Sequence, residues 1–142
     1  MTASLKAELE FGEQAESELL TLLNNTLFSG VTLFRTSQID DFDYAAVKDS
    51  KLVGYVEFKR RRITSTKYET TIFTAAKLRT AIRLMELGYG VYIVIEFTDV
   101  IAVLDFHKLT AVSFSEVKRR DRNVPKLHAK IPLTAFTLYK KS

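Results

Sequence analysis

Asp43-Tyr44-Ala45-Ala46-Val47 and, across a short polar turn, Val56-Glu57-Phe58-Lys59 read as the two arms of one β-hairpin. In a strand, residues two apart point to the same face, so Glu57 and Lys59 share one face while Val56 and Phe58 take the other. A carboxylate beside a lysine, on a strand whose other face is apolar, suits metal and phosphate chemistry. Whether Asp43 joins them depends on the register. With a three-residue loop Asp49-Ser50-Lys51, Lys48 faces Leu52, Val47 faces Val53 and Asp43 falls opposite Glu57. With a two-residue loop Asp43 faces Val56 and points away. Three-residue loops are common in hairpins, and the apolar pattern leaves both registers open. Asp41 shares the parity of Asp43 and competes with it; Asp40 lies beside them.

Outward from the hairpin, the chain alternates helical and extended segments. Leu5, Leu9, Gly12, Glu16, Leu19 and Leu23 recur at helical spacing, predicting a helix from Ser4 to about Asn25. Val31 to Arg35 is a short first strand, Phe42 to Val47 a second and Leu52 to Lys59 a third. A second long helix is expected from about Tyr68 to Leu87, stopped by Gly88 and Gly90. Val91 to Phe97 is a nearly continuous apolar run, the mark of a strand buried on both faces. Val100 to Phe106 follows it. A basic, less regular stretch from His107 to Lys130 leads to a last strand from Ile131 to Tyr139. The order is α-β-β-β-α-β with C-terminal additions. It predicts an α/β domain with a mixed central sheet flanked by helices.

The 142 residues, 46% hydrophobic, suit a single domain spanning 1–142 with a real core. There is no cysteine, which excludes disulfides and thiolate-held metals. Only His107 and His128 carry imidazoles, so a metal would be held by carboxylate oxygens, favouring Mg²⁺ or Mn²⁺. No signal-peptide pattern opens the chain. The longest apolar run falls far short of the ~20 residues of a membrane span. The expectation is a soluble, cytoplasmic protein with no membrane partner.

The net charge of +4 is unevenly spread. Basic residues gather at Lys59-Arg60-Arg61-Arg62, at Lys118-Arg119-Arg120 with Arg122, at Lys126 and Lys130, and at Lys140-Lys141; acids concentrate in the first fifty residues. Clustered Lys and Arg fit a polyanionic partner. Lys140-Lys141 reads instead as solvated terminal charge.

Two charges fall where a core should be. Glu16 lies within the arc of Leu5, Leu9, Leu19 and Leu23, where an unpaired carboxylate costs several kcal/mol, roughly. Otherwise the stripe ends at Gly12 and Glu16 caps a second helix or pairs with a lysine. Lys77 sits among Phe73, Thr80, Ala81 and Leu84 on the second helix; a snorkelling lysine would do the same.

Together these residues resemble the PD-(D/E)XK nucleases, and among them the small archaeal-type Holliday-junction resolvases and phage endonucleases. The resemblance runs from about Phe11 to Leu109 and is carried by Gly12-Glu13-Gln14-Ala15-Glu16, Asp43, Glu57-Phe58-Lys59 and a helix bearing Lys77. Phe42 replaces the proline that often precedes the aspartate. The resemblance implies a restriction-endonuclease-like αβββαβ core and a Mg²⁺-dependent (or Mn²⁺-dependent) endonuclease acting on DNA, with branched or junction DNA as the preferred substrate. It makes Asp43, Glu57 and the carbonyl of Phe58 metal ligands, with Glu16 assisting. Lys59 would orient or deprotonate the attacking water, and Lys77 would lie near the scissile phosphate.

Arg60, Arg61 and Arg62, with Lys118, Arg119, Arg120 and Arg122, would grip the DNA backbone. Tyr68 is either close to the same phosphates or an ordinary helix-start aromatic. Cutting two strands would call for a homodimer. A non-catalytic nucleic-acid-binding module on the same scaffold, or a phage structural or assembly protein, are the competing readings.

Overall fold

The structure is a computed structural model that describes residues 30–36, 42–109, 112–117 and 126–141. The expected first helix with Glu16, the acids Asp40 and Asp41, and the basic residues Lys118, Arg119, Arg120 and Arg122 lie outside the described residues. Within them run β1 (Thr32–Arg35), β2 (Tyr44–Lys48), β3 (Lys51–Arg60), β4 (Thr70–Thr74), α1 (Ala75–Glu86), β5 (Gly90–Glu96), β6 (Val100–Asp105), β7 (Ser113–Val117), β8 (Lys126–Pro132) and β9 (Thr137–Lys140).

A six-stranded sheet is ordered β1-β2-β3-β5-β6-β9, and a three-stranded sheet β4-β8-β7. β3 and β5 pair in parallel and every other pairing is antiparallel, so the large sheet is mixed. Parallel neighbours need a crossover, which β4 and α1 supply. At the start of the parallel pair Gly54 faces Gly90; a Cβ on Gly54 would lie 2.6 Å from the Gly90 carbonyl oxygen, so only glycine permits that approach.

The apolar run of β5 is buried on both faces, as its sequence predicts. Val91, Ile93 and Ile95 join Ala102 and Leu104 of β6 beneath Leu78 and Ala81 of α1 and Phe73, Ala129 and Ile131 of the small sheet. Val94 packs on the other face with Tyr44, Val56, Ile101 and Val103.

The expected helix from Tyr68 begins later, because Thr70 to Thr74 is a strand. Its run of β-branched and aromatic side chains favours extended backbone, and it pairs in full with β8. Thr74 then caps α1, its hydroxyl accepting from the Lys77 N–H at 3.3 Å. The helix ends in a Schellman motif. Gly88 takes φ of 94°, its N–H reaches the Met85 carbonyl (2.9 Å), and the Tyr89 N–H reaches that of Leu84 (3.1 Å).

Within the stretch expected to be irregular, β7 and β8 pair as antiparallel strands. The expected strand from Ile131 to Tyr139 is split. β8 stops at Pro132, which has no N–H to donate, and a 3-10 turn at Leu133–Ala135 leads into β9. Among the described residues a single helix and a small sheet, rather than helices alone, flank the central sheet.

The hairpin departs from both anticipated forms. Its loop has two residues, Asp49 (φ 51°) and Ser50 (φ 62°), a left-handed pair that matches strand twist. Lys48 pairs with Lys51 and Val47 with Leu52, but the register then shifts and Ala46 pairs with Gly54. Val53 is the extra residue of a β-bulge. Tyr44 therefore faces Val56, and one step further Asp43 comes level with Glu57.

Candidate active site

Glu57 projects from the middle of β3 toward α1, beside Ile93 of the neighbouring strand. It is 5% exposed, one of the few buried acids. Burial in an apolar sheet centre disfavours the carboxylate and raises its pKa. A hydrogen bond from Lys77 opposes that rise, the Asp43 charge adds to it, and the charges of Lys77 and Lys59 lower it. The Lys77 ammonium, in the first turn of α1, ion-pairs with Glu57 Oε1. Glu57 Oε2 is buried with no hydrogen-bond partner among the described residues.

Asp43 stands exposed at the entry to β2, and its Oδ2 accepts the Phe58 N–H at 2.9 Å. The bond fixes the aspartate beside the third strand. Lys59, two residues beyond Glu57 on the same face, donates from Nζ to the Ile72 carbonyl at 3.3 Å, and its Nζ lies 5.9 Å from the centroid of the Phe73 ring. Thus Asp43, Glu57, Lys59 and Lys77 converge on one side of the sheet, and Phe58 reaches them through its backbone while its side chain packs on the other face.

The arginines that follow diverge. Arg60 lies 3.7 Å from Glu96, on the face away from Glu57. Arg61 and Tyr68 line a cavity of about 670 Å³ between the loop after β3 and strand β4. Arg62 is exposed. Lys141, expected to be solvated, instead donates to Glu96 at 3.0 Å. That acid, 45 residues earlier in the chain, gave the sequence reading no reason to seek a partner for it.

Residues not anticipated complete the surroundings. Thr74 caps the helix that delivers Lys77; a threonine ahead of Ala75-Ala76 is an N-cap signal in its own right. Asp99 accepts from both the N–H (2.8 Å) and the hydroxyl (2.6 Å) of Ser65, which hold its pKa down. With the Arg61 N–H on the Glu96 carbonyl (2.9 Å) and the Thr98 N–H on that of Ile63 (3.0 Å), this pins the loop after β3 to the β5–β6 turn. No local pattern in the sequence signals such a contact.

The model of a family described as phage putative PDDEXK endonuclease matches residues 13–137, and the chain belongs to that family. Among solved structures the chain is similar to Archaeoglobus fulgidus Hjc, a Holliday junction resolvase from an archaeal hyperthermophile. The TM-score is 0.48 at 12% identity, over 82% of this chain and 88% of that one. Among curated protein sequences none matches. No helix among the described residues is long and apolar enough to cross a membrane.

Proposed function

We propose that this protein is a Mg²⁺- or Mn²⁺-dependent endonuclease that hydrolyses phosphodiester bonds in DNA, with Asp43 and Glu57 as the metal-holding carboxylates. The observation that carries the reading is the state of Glu57: a buried carboxylate, one oxygen held by Lys77 and the other without a partner among the described residues, level with a second carboxylate. The large majority of buried side-chain oxygens have a partner, so the unpaired one calls for an explanation.

The donors fit a small hard cation. Mg²⁺ commonly takes one or two carboxylates and keeps several waters. The described residues hold no group of three or more His, Asp or Glu side chains that would cage a metal completely. The Phe58 carbonyl and Glu16 are the further donors we assign, Glu16 on the first helix of an αβββαβ core that makes 1–142 one nuclease domain. When bound, such a cation acts as a Lewis acid on a phosphoryl oxygen and eases deprotonation of water.

The chain's own groups do the rest. Lys77 keeps Glu57 oriented and ionised. Asp43 is held in place by the Phe58 N–H. Lys59, resting on the Ile72 carbonyl, releases that weak contact to orient the attacking water and to meet negative charge on the phosphate as water adds and the sugar oxygen departs. Arg61 and Arg62, with Arg60 and the basic stretch Lys118, Arg119, Arg120 and Arg122, supply backbone contacts. A second copy of the chain would cut the second strand.

The test is cleavage of supercoiled, linear, single-stranded and four-way-junction DNA with Mg²⁺, Mn²⁺ or EDTA. Cleavage with either cation, absent in EDTA and lost in Asp43→Ala and Glu57→Ala, is expected. Absence of cleavage on every substrate, with both variants melting below the parent, would make the carboxylates structural.

A further inference from the structure

We infer that the cavity beside Lys59 is a receptor for an unpaired nucleobase, which makes DNA carrying an extruded or unpaired nucleotide the favoured substrate. The inference rests on the nuclease reading and extends it to substrate class. At about 670 Å³ the cavity lies within the range of small-molecule sites, roughly 300–1,000 Å³. Ile63, Ile72 and Phe97 make apolar walls, Thr70 and Thr71 bring hydroxyls, and Arg61 adds a cation. A base has the matching chemistry, with two π-faces for the apolar walls and polar edges for the hydroxyls.

Tyr68 is placed to stack. Tyr68 is 59% exposed beside the cavity, and the Lys67 ammonium lies 5.6 Å from its ring centroid, adding positive charge where a phosphate would follow the base. The cavity borders the candidate active site, because Ile72 lines the one and its carbonyl holds Lys59 of the other. From Ile72 to Thr70 is ~7 Å of strand. The wall is also built in advance: Ser65 on Asp99, Thr98 on Ile63 and Arg61 on Glu96 fix the loop that carries Arg61, Ile63 and Tyr68. A base stacked in a duplex cannot enter such a recess. Extrusion costs a few kcal/mol for a paired base and least for one already unpaired, so the recess selects against continuous duplex.

The experiment compares binding, in EDTA, of the full chain to a duplex with one unpaired thymine and to the same duplex with an abasic residue there. The expected preference for the base is about tenfold, in the lower part of what one base–aromatic stack provides. Tyr68→Ala should bring the ratio close to one, and Tyr68→Phe, which keeps the ring, should retain it. Equal binding of the two duplexes by the parent, no binding of either, or a ratio that Tyr68→Ala leaves intact would overturn the inference. Cleavage of paired DNA with Mg²⁺ and a ratio of one would refute the base receptor while sparing the nuclease. A preserved ratio with no cleavage of any DNA would do the reverse.

Discussion

Two buried glutamates on neighbouring parallel strands have opposite surroundings. Glu96 of β5 is 6% exposed and its Oε1 meets two cations, Lys141 at 3.0 Å and Arg60 at 3.7 Å. Glu57 of β3 is equally buried on the other face; among the described residues it has one direct cation, keeps an orphaned oxygen and lies near a second acid. One arrangement neutralises a charge, tying the C-terminal end and the strand end together. The other leaves a charge under-compensated among the described residues, which costs stability and accords with the metal-holding role proposed above. Burial alone therefore does not tell the two acids apart; the unsatisfied oxygen does.

The largest expected effect separates the two acids by activity. Glu57→Ala and Asp43→Ala should reduce Mg²⁺-dependent cleavage roughly 10³-fold or more, since several kcal/mol of transition-state stabilisation go with the metal. Glu96→Ala should keep the turnover number of the folded enzyme and lower its melting temperature instead. The cost is ~1–2 kcal/mol, below that of a fully buried pair because Arg60 and Lys141 can rehydrate. Turnover that fell equally in all three variants would erase the distinction.

Next in size is the Glu57–Lys77 pair. Lys77→Met should destabilise the metal-free protein by ~1–3 kcal/mol at neutral pH, because a buried carboxylate loses its cation. Adding Glu57→Gln should recover much of that loss, and strict additivity in thermal melts would disprove the coupling.

For DNA binding, Arg61→Ala should lower the slope of log K against log salt by ~0.9 on duplex DNA, one phosphate contact fewer. Titrations at several salt concentrations that returned the parent slope would leave Arg61 outside the interface.

The smallest effect is a pH dependence. The folded state holds the Glu57 proton to a higher pH than the unfolded chain does, so stability falls as pH rises from the ordinary glutamate range through the raised pKa. Glu57→Gln removes that decline. Its melting temperature relative to the parent should climb from acid to neutral pH, in metal-free buffer; a constant difference would mean that Glu57 is not desolvated.

Much of the site was legible from parity. Glu57 and Lys59 on one face, with Val56 and Phe58 on the other, follow from the alternation alone, and the burial of β5 on both faces follows from its unbroken apolar run. Lys77 was found for a partly mistaken reason. Phe73 entered its helical arc in sequence but belongs to a strand, and Leu78 and Ala81 are the helix positions that are buried. Helical and extended patterns both accept an apolar residue four places before a lysine, so periodicity could not separate them at the β4–α1 junction. In β8 the alternation of Leu127, Ala129 and Ile131 with Lys126, His128 and Lys130 was present, but the lysines drew the reading toward a basic irregular surface. The Ser65–Asp99 and Lys141–Glu96 contacts join residues remote in sequence, and neither leaves a local trace.

The bulge at Val53 bears on how this gene can change length. Side chains alternate, so a net gain or loss of one codon between Val47 and Gly54 that neither turn nor bulge absorbed would slip the register and turn Asp43 to the wrong side of the sheet, while leaving every site residue in place in the text of the sequence. The position of the extra residue is less constrained. A three-residue turn with regular strands and a two-residue turn with a bulge contain the same number of residues and deliver the same alignment of Asp43 with Glu57. Drift in the turn is thus tolerated so long as turn and bulge together absorb it, and relatives of this chain should keep Asp43 level with Glu57 whatever the form of the turn between them.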